Sequence, residues 1–502
     1  MFKSLNIKTC EIAAYLIVIL TGITLIILST HNGIGLNIDS TIYLEGAKTY
    51  QNTGQIGQLI EDGSINIIDK FPPGFFLFLT LFDLGRLDFL VIVNVILYLL
   101  NSTLVYLLIA NLSQRAAIRV LMFAAICLNS INLSFYTSLL SEPISLLFIY
   151  ISSIFFIYFL KSNKKFDLIT SIIFICIAIL FRLSGAYFLL GILITSFVAN
   201  FRSADKKFSI LTISSVIAVG VITCLALYTL LPFFGRHMSF YGAFYLKDTT
   251  SAILNNFLLY FNPLIPNVIL VKFISLILLI TIIFSTKWHR LQLDWINPLT
   301  ALFVSNIIFY SFHAYMIEDV ITTEARTIYI PFLCFMMLTT HYLNISEDKS
   351  PSTIVWGILI VAISFNIRSL IKSTSQHFDS GIYLNAKKYK ESFFIQSLDS
   401  LNNLPNVKIF TNERGPIVLY TKVHPGNIPV KVFHRSKLKN ENLSDELNKI
   451  DSNTGNKFLL YFKDFESSRA EFSLSQAEIN QYLKLTPIQE DDICVLYQLN
   501  DE

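Results

Sequence analysis

An acidic and a basic side chain in the first polar stretch of the chain have the chemistry that a group transfer requires. Asp39 follows the first apolar run, and Lys70 lies shortly before the sequence Pro72-Pro73-Gly74. A carboxylate can accept the proton of an attacking hydroxyl or amine, and an ammonium group can bind a phosphate. Simpler roles stay open: Asp39 as a helix N-cap or metal ligand, and Lys70 as a side chain reaching from a helix end to water.

The tripeptide Ser141-Glu142-Pro143 opens a long apolar run. A serine N-cap, an acid in the first turn and an early proline are typical of a helix start. Capping alone therefore explains these residues, with Ser141 as the predicted cap. A position at the membrane face leaves Glu142 open as part of a pocket.

Two arginines occupy similar positions at the ends of apolar runs. Arg182 separates two such runs, and Arg326 follows Glu324 closely. Because a guanidinium group can bind a phosphate through two parallel hydrogen bonds, both arginines are candidates for phosphate binding. A local ion pair between Arg326 and Glu324 is an equally good interpretation.

Metal ligands are not grouped in this sequence. The six cysteines form no closely spaced pair, and His237 and His313 each lack a neighbouring ligand. Structural metal sites and disulfide frameworks usually show such spacing. The sequence therefore predicts no particular cofactor, although a divalent metal ion is compatible with it.

The elements that carry these residues are predicted by composition. The chain has 502 residues, of which 53% are hydrophobic and 15% charged, whereas a soluble protein has roughly a quarter charged residues. Long apolar runs fill 1–370, and ordinary polar sequence fills 371–502. We therefore predict a polytopic α-helical membrane domain over 1–370, with a first extracytoplasmic loop at 31–71, and a small soluble α/β domain over 371–502. The net charge of +3 and the absence of a basic–aromatic pattern argue against a nucleic-acid partner.

About eleven runs have the roughly 20 apolar residues that a membrane-crossing helix needs. They lie at 11–30, 89–111, 117–133, 142–160, 168–182, 185–200, 208–232, 264–285, 296–313, 327–343 and 352–370. The first is predicted to be an uncleaved signal anchor. The apolar stretch 72–84 is too short, so we expect a half-buried helix or part of a broken span there.

Charge predicts the orientation of these spans. With the N-terminus in the cytoplasm, the short cytoplasmic connections carry thirteen Lys and Arg residues, including Arg119, and the opposite loops carry seven. The positive-inside rule favours this arrangement. An odd number of spans then places the C-terminal domain outside the cytoplasm, on the side of Asp39, Arg182 and Arg326.

The first loop is predicted to contain an amphipathic helix. Ile42, Tyr43, Gly46, Ala47 and Tyr50 recur at helical spacing, which predicts one buried face beginning just after Asp39.

Alternation of apolar and polar residues predicts strands in the C-terminal domain. The predicted strands are 407–410, 417–420, 457–462 and 493–497, and the predicted helices lie near 385–402, 443–450 and 474–484. The intramembrane residues Asn94, Asn101 and Asn129 are predicted to hydrogen-bond between helices.

The order of these motifs resembles the GT-C superfamily of integral membrane glycosyltransferases, in the branch that contains protein O-mannosyltransferases and the bacterial lipid A aminoarabinose transferase. The motifs are Asp39-Ser-Thr-Ile-Tyr43, Asp69-Lys70-Phe71-Pro72-Pro73-Gly74, Ser141-Glu142-Pro143, Arg326 before Tyr-Ile-Pro331, Phe378-Asp379-Ser380-Gly381 and Ile409-Phe410-Thr411-Asn412.

The resemblance implies an inverting transfer of a hexosyl or pentosyl group from a polyprenyl-phosphate-linked donor to a lipid, glycan or protein acceptor. The site would face outward from the cytoplasmic membrane. Asp39 would be the base, and Lys70, Arg182 and Arg326 would bind the donor phosphate. The remaining pocket residues would be Tyr43, Asp69, Glu142, Tyr136 and Tyr241.

Other functions stay open. A polysaccharide polymerase or ligase also uses polyprenyl-linked sugars at the outer face, but its key loop usually lies late among the spans. A transporter of lipid-linked sugars would place charged or broken positions at mid-membrane in two matching halves, and the sequence shows no such repeat. A non-catalytic membrane scaffold is the fourth possibility.

Overall fold

A computed structural model describes the helices at the start of the chain, several later helices and most of the C-terminal segment. The described residues are 9–60, 64–68, 71–82, 87–201, 253, 256–261, 298–316, 325–345, 349–402, 404, 406–421, 423–432, 439–451, 456–464 and 472–499. Contacts divide them into two compact units. The membrane unit holds the described residues of 1–30, 69–75 and 88–376, and the polar unit holds those of 31–68, 76–87 and 377–502.

The elements follow the apolar and polar pattern of the sequence. In chain order they are α1 (Thr9–Ser29), α2 (Ile38–Thr53), β1 (Gly57–Leu59), β2 (Ile65–Ile67), α3 (Pro73–Leu79), α4 (Leu87–Leu112), α5 (Ala116–Cys127), α6 (Ser130–Thr137), α7 (Glu142–Ser162), α8 (Lys165–Phe181), α9 (Gly185–Phe201), α10 (Pro298–Met316), a 3₁₀ turn (Ala325–Ile328), α11 (Tyr329–Ile345), α12 (Lys349–Ser380), α13 (Lys387–Glu391), α14 (Phe394–Asn402), β3 (Val407–Thr411), α15 (Gly415–Tyr420), β4 (Gly426–Asn427), α16 (Leu443–Asp451), β5 (Asn456–Phe462), α17 (Gln476–Ile479), β6 (Leu485–Glu490) and β7 (Cys494–Leu499).

Four helices in the described part of the chain are long and apolar enough to cross a membrane. They are α1, α4, α7 and the Val355–Ser380 part of α12, and the bent pair α5–α6, with an angle of 51°, makes a fifth if it is one span. The helices α9 and α10 contain shorter apolar segments. The predicted count of eleven is therefore not confirmed, and the predicted spans at 208–232 and 264–285 lie outside the described residues.

Three asparagine side chains inside the membrane unit donate hydrogen bonds to neighbouring segments. The Asn94 amide donates to the carbonyls of Tyr136 and Ser138, each at 3.0 Å. The Asn101 amide donates to the carbonyl of Pro143 at 2.7 Å, and that of Asn129 to the carbonyl of Tyr260 at 2.8 Å. Because an unpaired amide in an apolar interior is costly, these bonds fix how the helices pack. The predicted role of the three asparagines as bridges is confirmed.

Arg119 departs from its predicted place in a cytoplasmic connection. It lies within α5, is buried, and forms two bonds with Glu11 of α1, Nε to Oε1 at 2.5 Å and Nη2 to Oε2 at 2.6 Å. The buried guanidinium needs a carboxylate partner, and Glu11 supplies it.

The polar unit contains a five-stranded sheet of order β4-β3-β5-β7-β6. Strand β3 runs parallel to β4 and β5, whereas β7 is antiparallel to β5 and β6. The predicted strands at 407–410, 457–462 and 493–497 match β3, β5 and β7. The predicted strand at 417–420 is wrong, because this segment is the helix α15, with Pro416 in its first turn. Proline fixes φ near the helical value and suits a helix start better than a central strand.

The start of the first loop pairs with residues that follow α12. Leu36 forms an isolated parallel bridge with Tyr383, and the Leu384 amide donates to the Leu36 carbonyl at 2.9 Å. Contacts therefore group 31–68 with 377–502 in the polar unit, whereas the sequence boundary at 370 stays a prediction. Helix α12 also continues past 370 and ends at Ser380, before Gly381 with φ of +81°.

Candidate functional site

Glu142 is the first residue of α7 and is buried, with 4% of its side chain exposed. Ser141 occupies the predicted N-cap position of α7, but it has helical φ and ψ and its side chain makes no cap hydrogen bond. An early proline, Pro143, still marks the helix start as expected. Glu142 thus begins the helix without a side-chain cap bond from Ser141, and its carboxylate contacts two arginines.

Arg182 approaches Glu142 from the end of α8. Its Nη1 lies 3.0 Å from Glu142 Oε1, and its backbone N–H donates to Ala178. The antiparallel packing of α7 and α8 explains this approach, because α8 ends beside the residue where α7 begins. Small residues make the packing close: the Ser145 hydroxyl donates to the Ala178 carbonyl at 3.3 Å.

Arg326 approaches the same carboxylate from the 3₁₀ turn before α11. Its Nη1 lies 3.5 Å from Glu142 Oε1, and 16% of its side chain is exposed. The alternative partner Glu324 lies outside the described residues. We call Glu142, Arg182 and Arg326 the arginine cluster.

The arginine cluster brings two positively charged groups to one negatively charged group. Two guanidinium groups face one carboxylate, and neither Glu142 oxygen accepts a hydrogen bond of good geometry from the described residues. The contacts with Glu142 therefore hold the arginines in place without the fork-like pair of hydrogen bonds that a carboxylate can make with a guanidinium. Such an arrangement is suited to bind an anion such as a phosphate.

Gly74 of the Pro-Pro-Gly sequence packs against the end of α8. A Cβ at this position would lie 2.5 Å from the carbonyl oxygen of Leu180, two residues before Arg182. Glycine is therefore required for this close approach. Lys70 and Asp69, which precede this sequence, lie outside the described residues.

Asp39 lies in the polar unit, on the first turn of α2. The N-cap is Asn37, whose side-chain oxygen accepts from the Ser40 backbone N–H at 2.8 Å. The Ser40 hydroxyl in turn accepts from the Asn37 backbone N–H at 3.1 Å. This reciprocal capping box makes the alternative role of Asp39 as N-cap wrong. Asp39 is half-buried, at the second helical position, where the helix dipole favours a negative charge.

The predicted inward face of α2 is largely observed. Tyr43 and Ala47 are buried, and the Tyr43 ring packs edge-on against Phe76 with centroids 5.2 Å apart. Tyr50 is exposed instead, because it lies near the end of the helix.

Of the remaining predicted pocket residues, the structure describes Tyr136 but not Tyr241. Tyr136 is buried in the membrane unit, where its hydroxyl accepts from the Asn101 amide at 2.9 Å. Tyr241 and His237 lie outside the described residues, as does the side chain of His313. No group of three or more potential metal ligands occurs within the described ranges.

The sequence interpretation missed the buried ion pair between Glu45 and Arg414 in the polar unit. Glu45 of α2 is buried and bonded to Arg414, which precedes α15, and to the Gln58 amide at 2.9 Å. Burial raises the pKa of the Glu45 carboxyl, and the nearby Arg414 guanidinium offsets only part of this rise. The signal was present in the spacing, because Glu45 lies four residues after Thr41 on the buried side of α2.

Comparison by sequence gives no match: no protein-family profile and no curated protein is similar to the chain. Comparison by structure gives matches along nearly the whole chain. ArnT from Cupriavidus metallidurans in the apo state has a TM-score of 0.53 at 11% identity, covering 96% of this chain and 97% of that one. The same protein bound to undecaprenyl phosphate has a TM-score of 0.51 at 10% identity and the same coverage.

An oligosaccharyltransferase gives a comparable match. The enzyme of Archaeoglobus fulgidus, tethered to an acceptor peptide containing the NVT sequon, has a TM-score of 0.54 at 12% identity, covering 92% of this chain and 70% of that one. At such low identity these matches show the fold, which is that of the GT-C glycosyltransferases.

Proposed function

We propose that this chain, which has the GT-C fold, transfers a sugar from a polyprenyl-phosphate-linked donor to a lipid, glycan or protein acceptor. The transferred group is a hexosyl or pentosyl unit, and the reaction takes place at the outer face of the cytoplasmic membrane. The likeness to ArnT bound to undecaprenyl phosphate supports a donor of this class. The arginine cluster is the observation in this chain that carries the proposal.

The arginine cluster provides what a phosphate leaving group requires. When the bond between the anomeric carbon and the phosphate oxygen breaks, negative charge develops on the phosphate, and fixed cations stabilise it. Arg182 and Arg326 are held by Glu142 at the ends of helices, so they need little rearrangement to provide this charge. Lys70, which precedes the sequence packed on α8, is proposed as a third cation.

The proposed reaction is a single displacement. The acceptor oxygen or nitrogen attacks the anomeric carbon, the carbon–oxygen bond to the phosphate breaks, and the anomeric configuration inverts. The acceptor proton passes to the Asp39 carboxylate, and polyprenyl phosphate leaves. Tyr43, Asp69, Glu142, Tyr136 and Tyr241 are proposed as residues of the surrounding pocket.

The test is an activity assay on the full chain in membranes. Donors with radiolabelled hexosyl or pentosyl groups on polyprenyl phosphate are supplied, and membranes of the source cell provide the acceptors. We expect Asp39→Asn to lower the transfer rate about 10²–10⁴-fold, the usual contribution of a general base. Asp445→Asn is the matched control, because Asp445 is an exposed acid in the first turn of another helix, α16.

Two results would contradict parts of the proposal. Transfer by the wild type that Asp39→Asn does not reduce would show that another group accepts the proton. If the wild-type protein transfers no sugar from any donor and retains no polyprenyl phosphate on purification, the glycosyltransferase function itself is wrong.

A further inference from the structure

The helix that carries Asp39 is held at its start by the C-terminal segment. The Asn385 amide donates to the Ile34 carbonyl at 2.9 Å, and the Leu384 backbone N–H donates to Leu36. Gly33 has φ of +103°, and a Cβ there would lie 2.3 Å from Asn385 Nδ2. The chain therefore enters α2 along a path fixed by 383–385.

A second attachment lies one and a half turns beyond Asp39. Arg414 Nη2 donates both to Glu45 Oε1 and to the Leu59 carbonyl, the latter at 2.8 Å. The Gln58 amide donates to the other Glu45 oxygen. One guanidinium nitrogen therefore joins α2, β1 and the start of α15.

The packing around this ion pair leaves α2 little room to rotate. On one side, a Cβ at Gly415 would lie 3.3 Å from Thr41 Oγ1 and 3.1 Å from Glu413 Oε1. On another side, a Cβ at Gly46 would lie 2.5 Å from the Phe76 ring. Since bonded or closely packed groups contact the helix on two sides, its rotation depends on them, and Arg414 is the member of the set that forms an ion pair with α2.

We propose that Arg414 is a positioning residue for transfer: by holding Glu45, it sets the rotation of α2 and so the direction of the Asp39 carboxylate. The C-terminal segment thus takes part in the reaction without contacting the reacting atoms. This inference rests on the proposed function for its kinetic consequence, but not for its structural one.

The kinetic test compares Arg414→Ala with Arg414→Lys. Because misplacement of a catalytic group by about 1 Å can cost 10²-fold, we expect Arg414→Ala to lower kcat by roughly 10- to 100-fold with the donor KM unchanged. Arg414→Lys should recover much of the loss, since a single nitrogen makes both bonds in the wild type. Lys431→Met is the matched control, because it breaks a half-exposed ion pair with Glu478 in the same unit.

A labelling test requires no activity. In a Cys10→Ser background, Asp39→Cys is treated with a water-soluble maleimide, and labelling of Cys10→Ser alone is subtracted. We expect Arg414→Ala or Glu45→Gln to change the labelling rate by about tenfold, the effect expected from loss of one charged hydrogen bond. Lys431→Met should leave the rate unchanged.

The outcomes separate this inference from the proposed function. Unchanged labelling and unchanged kcat in Arg414→Ala would overturn the positioning role. A change in acceptor KM with unchanged labelling would also overturn it, in favour of acceptor binding by Arg414. If the wild type transfers no sugar, altered labelling still supports the control of α2 by Arg414, while the proposed function fails alone.

Discussion

Two buried carboxylates of the membrane unit bind arginines in opposite ways. Glu11 meets one arginine, Arg119, through two bonds of 2.5 and 2.6 Å, and it also accepts from the Tyr15 hydroxyl at 3.0 Å. Arg119 Nη1 donates further to the Gln114 carbonyl at 3.1 Å. Glu142 meets two arginines at 3.0 and 3.5 Å and accepts no well-aligned hydrogen bond from the described residues.

The difference teaches how to separate a structural pair from a candidate binding site. Where charges balance and the hydrogen bonds are made, a buried pair fixes helix packing and has little capacity for a ligand. Where two cations share one carboxylate, the carboxylate holds both of them at one place, as the binding of an anion requires. Charged residues within membrane helices are functional candidates by default, and saturation of their bonds decides between the two cases.

The Glu45–Arg414 pair of the polar unit is intermediate. Its carboxylate is bonded on both oxygens, yet the buried Arg414 Nε has no hydrogen-bond partner within the described residues. This pair joins elements, as Glu11–Arg119 does, but less completely. A structural role with some tolerance to substitution follows from it.

The largest expected effect is that of Arg119→Ala on stability. Removal of the guanidinium leaves Glu11 buried and uncompensated, which typically costs about 3–5 kcal/mol. We expect a large fall in the thermal unfolding midpoint of the detergent-solubilised protein, measured by circular dichroism.

The control for this prediction replaces the whole network by apolar groups. The triple variant Glu11→Met, Tyr15→Phe and Arg119→Leu should unfold near the wild-type temperature or above it, because a buried ion pair gains little over apolar packing. If Arg119→Ala has wild-type stability, the Glu11–Arg119 pair does not fix helix packing, and its structural role is wrong.

The second prediction concerns Arg182→Ala, which should affect activity and spare stability. Loss of one cation from the arginine cluster should lower kcat about 10²–10³-fold, as loss of a transition-state donor does. Stability should change little, because Arg326 still compensates Glu142. Arg182→Lys should recover only part of the rate, since an ammonium group cannot form two parallel bonds to a phosphate.

Arg115→Ala is the control, because Arg115 is an exposed arginine at the start of α5. Native mass spectrometry of bound polyprenyl phosphate gives a reading without activity. If Arg182→Ala strongly destabilises the protein but binds lipid normally, Glu142 has a structural role like that of Glu11, and the proposed difference between the two carboxylates is wrong.

The sequence predicted the helices that carry these charged residues better than the contacts between the charged residues. Apolar length predicted the helices that begin or end at Glu142 and Arg182, and spacing predicted the buried face of α2. The sharing of Glu142 by two arginines was not predictable, because the three residues are far apart in sequence and local pairing with Glu324 was equally plausible. Local competition explains two errors: Asn37 and Asp39 both suit an N-cap, and Ile417–Tyr420 suits a strand until Pro416 sets a helix.

The smallest expected effect concerns His424, which tests the intermediate character of the Glu45–Arg414 pair. Burial lowers the pKa of His424, and the positive charges of Arg414 and Lys48 lower it further. The folded state therefore resists protonation of His424. In the unfolded chain this histidine takes up its proton at the ordinary histidine pKa of about 6.5. Stability should fall as the pH drops below this value and should not fall further below the pKa of the folded state.

Glu45 contributes with the opposite sign. Its pKa is raised by burial, so the folded state binds a proton more readily than the unfolded chain, and stability rises as the pH falls through the raised pKa toward the ordinary value. We expect His424→Gln to flatten the decline of the unfolding midpoint between pH 7.5 and 5.5 by on the order of 1 °C. As the pH falls through the raised pKa of Glu45, Glu45→Gln should show a steeper decline than the wild type, because it removes the opposing contribution. If both variants follow the wild-type curve, solvent screens the charges of Arg414, Lys48 and Glu45. The Glu45–Arg414 pair would then resemble an ordinary surface ion pair more than the ion pairs of Glu11 or Glu142.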